Sequence, residues 1–552
     1  MKPLLLAFGL ATLISIIEAK KDGGEKQLPW KVVRFSSRLR SQVPSNIEGK
    51  PVPDDQWFPQ NLDHFHPTDD RMWKQRYFVN DTFYKKGGPI FLMIGGEGEA
   101  NPIWMVEGTW IDYAREMGAL CFQLEHRFYG KSHPTTDMSV KNLAYLSSEQ
   151  ALGDLATFIS GMNQARNLTG SKWIAFGGSY PGSLAAWLRL KYPHLIHGSV
   201  STSGPLYAKA DFFEYLQVVR QALKVTDPEC GPALEDALQK VDVLSRHRTG
   251  WAMISKKFNL CTPFDSTKKH DMANFFENLV GNFEDVVQYN KDNRAFEGVA
   301  NTNVTIKTLC DIMTGKTVEA KDTTSKFFHN LDGEFRTLKA KFDRRTDTEG
   351  LEDFFKSYLS EKIVEYNVQS STLQRLASVN QFMLKITGQT CMDHEYKTMI
   401  DLLKQTNWES EAGVGGRQWL YQTCTEFGWY QSSDQPGHPY TPYFPIEFLE
   451  KQCTDIFGSK YDLALLQKGI DQTNIMYGGK DIQVSNVIFV HGSIDPWHAM
   501  GITKDISDQT KAIFIQGTAH CANMYPESPE DPPQLKMART KIFGMIQDWL
   551  KA

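Results

Sequence analysis

Between residues 173 and 191 the chain reads as a strand, a tight turn and a helix, with a serine at the turn. The apolar run 173–176 leads into Gly177, Gly178 and Ser179, and the helix-like run 183–191 follows. A serine at such an apex sits on strained backbone and is pushed clear of the fold, the layout of a nucleophile elbow. Only residues without bulky side chains fit beside it, which gives Gly177 and Gly178 a purpose. A Gly-Ser turn between a strand and a helix is common in its own right, so the reading depends on what the rest of the chain supplies.

A serine hydroxyl is a weak nucleophile until a base takes its proton, and that base needs an orienting carboxylate. On an α/β-hydrolase fold these follow in the order serine, acid, histidine, each beyond a later strand. Residues 486–490 read as a buried strand that opens into a loop carrying Asp495, Pro496 and Trp497. Residues 511–516 read as the next strand, followed by a loop that ends on His520. Asp495 and His520 thus stand in the expected places and order behind Ser179. The oxyanion of an acyl-transfer intermediate needs two backbone N–H donors, one from the residue after the nucleophile, here Tyr180. The second is expected from the glycine-rich loop after the strand 89–94, in the region of Gly96 and Glu97.

The pattern along the chain fits one catalytic domain interrupted by an insertion. Strands and helices alternate from about 52 to 205, as a mostly parallel sheet covered by helices requires. From 206 to 440 strand signals are scarce, and apolar residues recur at helical spacing in 211–223, 235–244, 273–279 and 351–359. Alternation is expected to resume over 441–552. The fold class is therefore α/β, an α/β-hydrolase domain in two parts with a large helical cap between them.

The N-terminus, with Lys2 before an apolar run from Leu4 to Ile17 and then Ala19, reads as a secretory signal peptide over residues 1–19. Residues 20–51 are polar, basic and aperiodic, and read as a flexible segment or propeptide. Asn80, Asn167 and Asn303 each begin an N-glycosylation triplet, which suits that compartment. Of eight cysteines, the six from Cys230 to Cys453 are expected to form disulfides, and Cys121 reads as a buried thiol in a strand. No cysteine or histidine spacing suggests a metal, and neither metal nor cofactor is expected. The formal net charge of −5 is small for 552 residues and gives no reason to expect nucleic acid or an anionic membrane as partner.

The motifs together resemble the prolyl carboxypeptidase and dipeptidyl peptidase II family of serine peptidases, and most closely its thymus-specific serine protease branch. The resemblance runs from about Phe58 to the C-terminus. It rests on residues 60–65, 75–78, 87–98, 125–130, 177–180, 417–428 and 495–497, in one order. It implies Ser179 as nucleophile, Asp495 as acid and His520 as base, in agreement with the strand order. Two departures stand out. Pro181 occupies the position two after the nucleophile, where the family usually has glycine, and no basic residue follows His520 in the run 521–525.

A cap over the strand ends would restrict the site to short peptides, which points to an exopeptidase acting on peptide substrates in the secretory pathway, secreted or lysosomal. The resemblance adds cleavage at a prolyl or small apolar residue, with Trp497 as a wall of its pocket and Trp419 and Glu426 as further substrate contacts. Glu426 fits a buried hydrogen-bond network better than a substrate contact. The Glu125–Arg127 stretch is read as a brace for the sheet. An esterase or lipase of the same fold, and a non-catalytic binding protein that keeps it, are the alternatives. The choice between the two exopeptidase polarities stays open, as does a homodimer.

Overall fold

Short runs of β-branched, aromatic and aliphatic residues build the centre of the molecule. In the computed structural model, residues 46–47, 50–297, 301–316, 370–434 and 443–552 are described, with Lys362, Val364 and Asn367. The expected signal peptide and the helical pattern at 351–359 lie outside these residues. Strands β1 (Gln56–Asn61), β2 (Met72–Asn80), β3 (Ile90–Ile94), β4 (Leu120–Leu124), β5 (Trp173–Gly178), β6 (Gly198–Thr202), β7 (Val487–Gly492) and β8 (Thr510–Ile515) form one sheet. Its order is β1-β2-β4-β3-β5-β6-β7-β8. β1 and β2 run antiparallel to their neighbours, while β4-β3-β5-β6-β7-β8 are parallel throughout. This order, with helices on both faces, is the α/β-hydrolase architecture.

β3, β4 and β7 read as largely apolar runs because both faces are covered, while β6 fills its place with buried small and hydroxyl residues. On one face Phe91, Met93, Ile174 and Phe176 pack against helix α1 (Thr109–Met117) and the C-terminal helix Pro533–Lys551. On the other, Ile90, Leu92, Ile94 and Phe122 pack against α2 (Ser148–Ala165) and α3 (Tyr180–Lys191). Cys121 of β4 is a buried free thiol, as its strand position implies.

Two buried ion pairs tie the loops around β4 to the sheet. Glu125 accepts from the Arg76 guanidinium, the Ala100 N–H at 3.0 Å and Ser132 Oγ at 2.7 Å. Arg127 grips Asp154 of α2 through two bonds of 2.6 Å. Such pairs add little over an apolar core, but removing one partner strands the other and costs about 3–5 kcal/mol. The Glu125–Arg127 stretch therefore braces the sheet.

The cap leaves the sheet after β6. It contains α4 (Glu214–Thr226), α5 (Cys230–Ser245), α6 (Arg248–Lys257), α7 (Lys269–Gln288), α8 (Ile306–Met313), α9 (Ser371–Ile386), α10 (Tyr396–Leu403) and α11 (Gly416–Gln422). Two short strands, Lys209–Asp211 and Gly428–Tyr430, pair in parallel and fasten the start of this region to its end. Alternation was expected from 441, but the next elements are α12 (Ile446–Phe457) and α13 (Leu463–Tyr477), and β7 begins only at Val487. Disulfide Cys424–Cys453 holds α12 to the turn of π-helix at Thr423–Phe427, so α12 is fastened to the cap. Cys230–Cys310 joins α5 to α8, and Cys261–Cys391 closes a third link. Each bridge stabilises by about 2–4 kcal/mol, chiefly by restricting the unfolded chain.

Candidate active site

β5 ends at Gly178, and Ser179 makes the turn into α3 with φ 65° and ψ −136°. A residue with a side chain rarely adopts that backbone, at a cost of about 1–3 kcal/mol. Two bonds hold it there: the Ser179 N–H donates to Thr202 O at 3.0 Å, and Ser179 O accepts from the Gly182 N–H at 2.8 Å. Backbone makes glycine a steric necessity at 177, while at 178 side chains would have to shift. A Cβ on Gly177 would lie 2.0 Å from Pro181 O, and one on Gly178 would lie 2.5 Å from Met524 Sδ.

Asp495 follows β7 and His520 follows β8, and the two meet. His520 Nδ1 and Asp495 Oδ1 are 2.9 Å apart, with both side chains buried. A carboxylate on Nδ1 fixes the tautomer with hydrogen there and leaves Nε2 as a bare acceptor. Nε2 has no hydrogen-bond partner among the described residues. Burial alone would push the Asp495 carboxyl up, but the charge of His520 and the bond from its ring outweigh this and hold it below the ordinary carboxylate range. Burial likewise opposes the charged His520, yet the Asp495 carboxylate raises it well above the usual histidine value. The pair is built to stabilise an imidazolium.

The histidine loop is clamped from four directions. The His520 N–H donates to Gln288 O of α7 at 2.9 Å. The Cys521 N–H donates to Ser203 Oγ at 3.0 Å, and Asn523 Nδ2 donates to Thr202 Oγ1 at 3.0 Å. Arg539 of the C-terminal helix donates to Ala522 O and Tyr525 O, both at 3.0 Å. Sequence reasoning missed these residues, since nothing local marks a serine whose partner lies 318 positions away or an arginine that reaches back 14 to 17 positions to loop carbonyls. Arg539 has only its position on the apolar-patterned helix as a signal, and that pattern predicts exposure or snorkelling.

Ser179 and His520 line one cavity of about 460 Å³ between the sheet and the cap. Gly96, Glu97, Tyr180 and Pro181 form part of its wall, as do Trp419, Trp429 and Trp497. Tyr180 opens α3, so its N–H has no acceptor within the helix. Its side chain is buried, with the hydroxyl 3.1 Å from both His126 Nε2 and Gln422 Nε2.

The sequence profile of the family described as serine carboxypeptidase S28 matches residues 60–353 and 354–542. The chain belongs to this family. The thymus-specific serine protease of Mus musculus is 33% identical to this S28 peptidase over 509 residues, covering 91% of the chain and 88% of the relative. The lysosomal Pro-X carboxypeptidase of Homo sapiens is 26% identical over 547 residues, covering 95% of each. Among solved structures, a proline iminopeptidase of Mycobacterium smegmatis covers 90% of the chain and 99% of its own, at 9% identity and a TM-score of 0.31. The protein is a serine-type peptidase, and the family and branch agree with the resemblance seen in the motifs.

Within the S28 peptidase the expected substrate contacts separate. Trp497 lies on the cavity wall, where Nε1 donates to Gln288 Oε1 at 3.1 Å and the ring packs on Phe212 and Trp429 at 5.5 and 5.9 Å. Trp419 is on the same wall, 5.6 Å from Tyr180 and 6.2 Å from Trp429. Glu426 does not line the cavity. Its carboxyl accepts from the Ser148 N–H at 2.9 Å, Ser148 Oγ at 2.7 Å and Gln422 Nε2 at 3.3 Å. Burial pushes it up to about 7 against those bonds. The substrate role expected for Glu426 is thereby corrected: it belongs to a hydrogen-bond network beneath the elbow, with Tyr477 on the same Ser148 hydroxyl at 3.0 Å.

Proposed function

We propose that this S28 peptidase is an exopeptidase that cleaves short peptides after a prolyl or small apolar residue through an acyl-enzyme on Ser179. The observation that carries this is the His520–Asp495 pair at 2.9 Å, with Nε2 unpartnered in the cavity that Ser179 lines. Ser179 Oγ attacks the scissile carbonyl while His520 Nε2 takes its proton, and Asp495 stabilises the resulting imidazolium. The Tyr180 N–H and a backbone N–H of the Gly96–Glu97 loop receive the oxyanion. His520 then returns the proton to the leaving amine, and water resolves the ester by the same steps in reverse.

The aromatic wall of Trp497, Trp429 and Trp419 supplies a rigid apolar surface for the residue before the cleaved bond. A proline ring fits such a wall because it brings apolar area without conformational freedom to lose. The human relative named lysosomal Pro-X carboxypeptidase supports the same choice. The secretory pathway or the lysosome is the proposed location, supported by three disulfides and the leader-like N-terminus. No helix among the described residues is long and apolar enough to cross a membrane.

The reading is tested by comparing turnover of N-blocked Pro-X peptides with that of short-chain esters. Trp497→Ala should lower kcat/KM on the peptides by at least about tenfold more than on the esters, since only the peptides draw binding energy from the wall. Efficient ester hydrolysis with no cleavage of any peptide would favour the esterase instead.

A further inference from the structure

The cavity carries a second cluster that the elbow, the charge pair and the tryptophan wall do not use. The two clusters meet at His520. On one side is the apolar wall, with Trp497 6.5 Å from the histidine ring. On the other, Tyr289 stands edge-on to His520 at 5.9 Å, and the guanidinium of Arg294 stacks 3.6 Å from the centre of the Tyr289 ring. Arg294 thus sits one aromatic ring away from the catalytic base, on the wall of the same cavity.

We propose that Arg294 binds the C-terminal carboxylate of the substrate, so that the enzyme releases single residues from the C-terminus. The inference rests on the peptidase reading above and sets its polarity. The carboxylate of a released amino acid lies two bonds beyond the nitrogen that His520 protonates. Its partner must therefore stand within about one side chain of His520, and Arg294 does.

The state of the guanidinium suits this task. Its Nε is engaged by Asp292 Oδ2, which fixes the plane together with the Tyr289 ring. Nη1 and Nη2 have no partner among the described residues, and they form the fork that meets a carboxylate with two parallel bonds. The Arg294 side chain is only 12% exposed, so an ion pair made there is screened less than one at the surface. Glu297 shares the wall, but Trp104 Nε1 donates to its Oε1 at 2.5 Å, so that carboxyl already has a partner. The position also answers a gap in the sequence. No basic residue follows His520 in the run 521–525, and the cap supplies one from a different part of the chain.

The test pairs an N-blocked Ala-Pro-Phe substrate with a free C-terminal acid against its C-terminal amide, using the mature full-length protein. The wild type should favour the acid by at least about tenfold in kcat/KM, because a site built for a carboxylate leaves its donors unpaired on the amide. Arg294→Gln should collapse that ratio towards unity, and Arg294→Lys, which keeps the charge but loses the fork, should fall between. Both substrates are read on one sample, so the ratio is insensitive to the folded fraction. Equal use of acid and amide by the wild type would overturn the inference while leaving the peptidase reading intact. So would release of N-terminal dipeptides from unblocked peptides alone. Cleavage of neither substrate, and of no unblocked peptide either, would overturn both.

Discussion

His520 is the residue whose chemistry depends most on one neighbour. Its charged form is favoured because the Asp495 carboxylate, 2.9 Å away, outweighs the cost of burial. The base works only when neutral, so kcat/KM must fall as pH drops through the raised histidine value. Asp495→Asn should slow turnover by about 10³–10⁴-fold, since the ring loses its tautomer control. It should also move the acid limb of the profile to lower pH, because the group that raises His520 is gone. A pH–rate profile of this variant with an unmoved limb would place the controlling acid elsewhere. At this scale the site was largely legible in the sequence. Ser179, Asp495 and His520 each follow a recognisable strand, and the strand order alone selects them. For Glu426 the network role was legible but its partner was not, because Ser148 lies on α2, far from it in the chain.

At the scale of elements, the contact between the Gly95–Gly96 loop and α3 explains the proline that departs from the family pattern. Pro181 is in the first turn of α3, where a missing N–H costs nothing. Its ring packs against Gly96 so closely that a Cβ there would lie 2.5 Å from Pro181 Cγ. Gly96→Ala should therefore displace the loop proposed to carry an oxyanion donor and cut kcat by about 10²-fold. The double variant Gly96→Ala/Pro181→Gly removes the obstacle and should recover most of the loss. A double variant as slow as the single one would show that the ring is not what the loop rests on. Strands β3, β4, β5, β7 and β8 were readable as apolar runs to within about two residues, whereas β6, built of small and hydroxyl residues, was not. The reach of the helical region was not. Residues 446–477 share their amphipathic spacing with the covering helices of any α/β domain, and what they fasten to is shown by the Cys424–Cys453 bridge for α12 and by the bonds of Thr473 and Asn474 to Glu426 O and Ala208 O for α13.

At the scale of the whole molecule, the cap closes the strand ends into a cavity, and its α7 carries Gln288 to the histidine loop. Neither Gln288 nor Arg294 could be picked out beforehand, because a polar residue at the end of a helix looks the same whether it meets solvent or a catalytic loop. The glycosylation triplets separate at this scale too. Asn167 and Asn303 are exposed, whereas Asn80 is half-buried and its Nδ2, the atom a glycan would need, donates to Met105 O at 2.6 Å. Glycopeptide mapping of the protein made in a secretory host should find sugars at Asn167 and Asn303 and none at Asn80. A fully occupied Asn80 would mean that its bond to Met105 forms only in unmodified protein.

The central claim is that Ser179 is a nucleophile activated by His520 and Asp495. Mapping the adduct of a fluorophosphonate probe tests it most directly, since only an activated serine reacts and the modified peptide names the residue. The account predicts one adduct, on Ser179, lost in Ser179→Ala and strongly slowed in Asp495→Asn. An adduct on another serine, or none on folded wild-type protein, would contradict it.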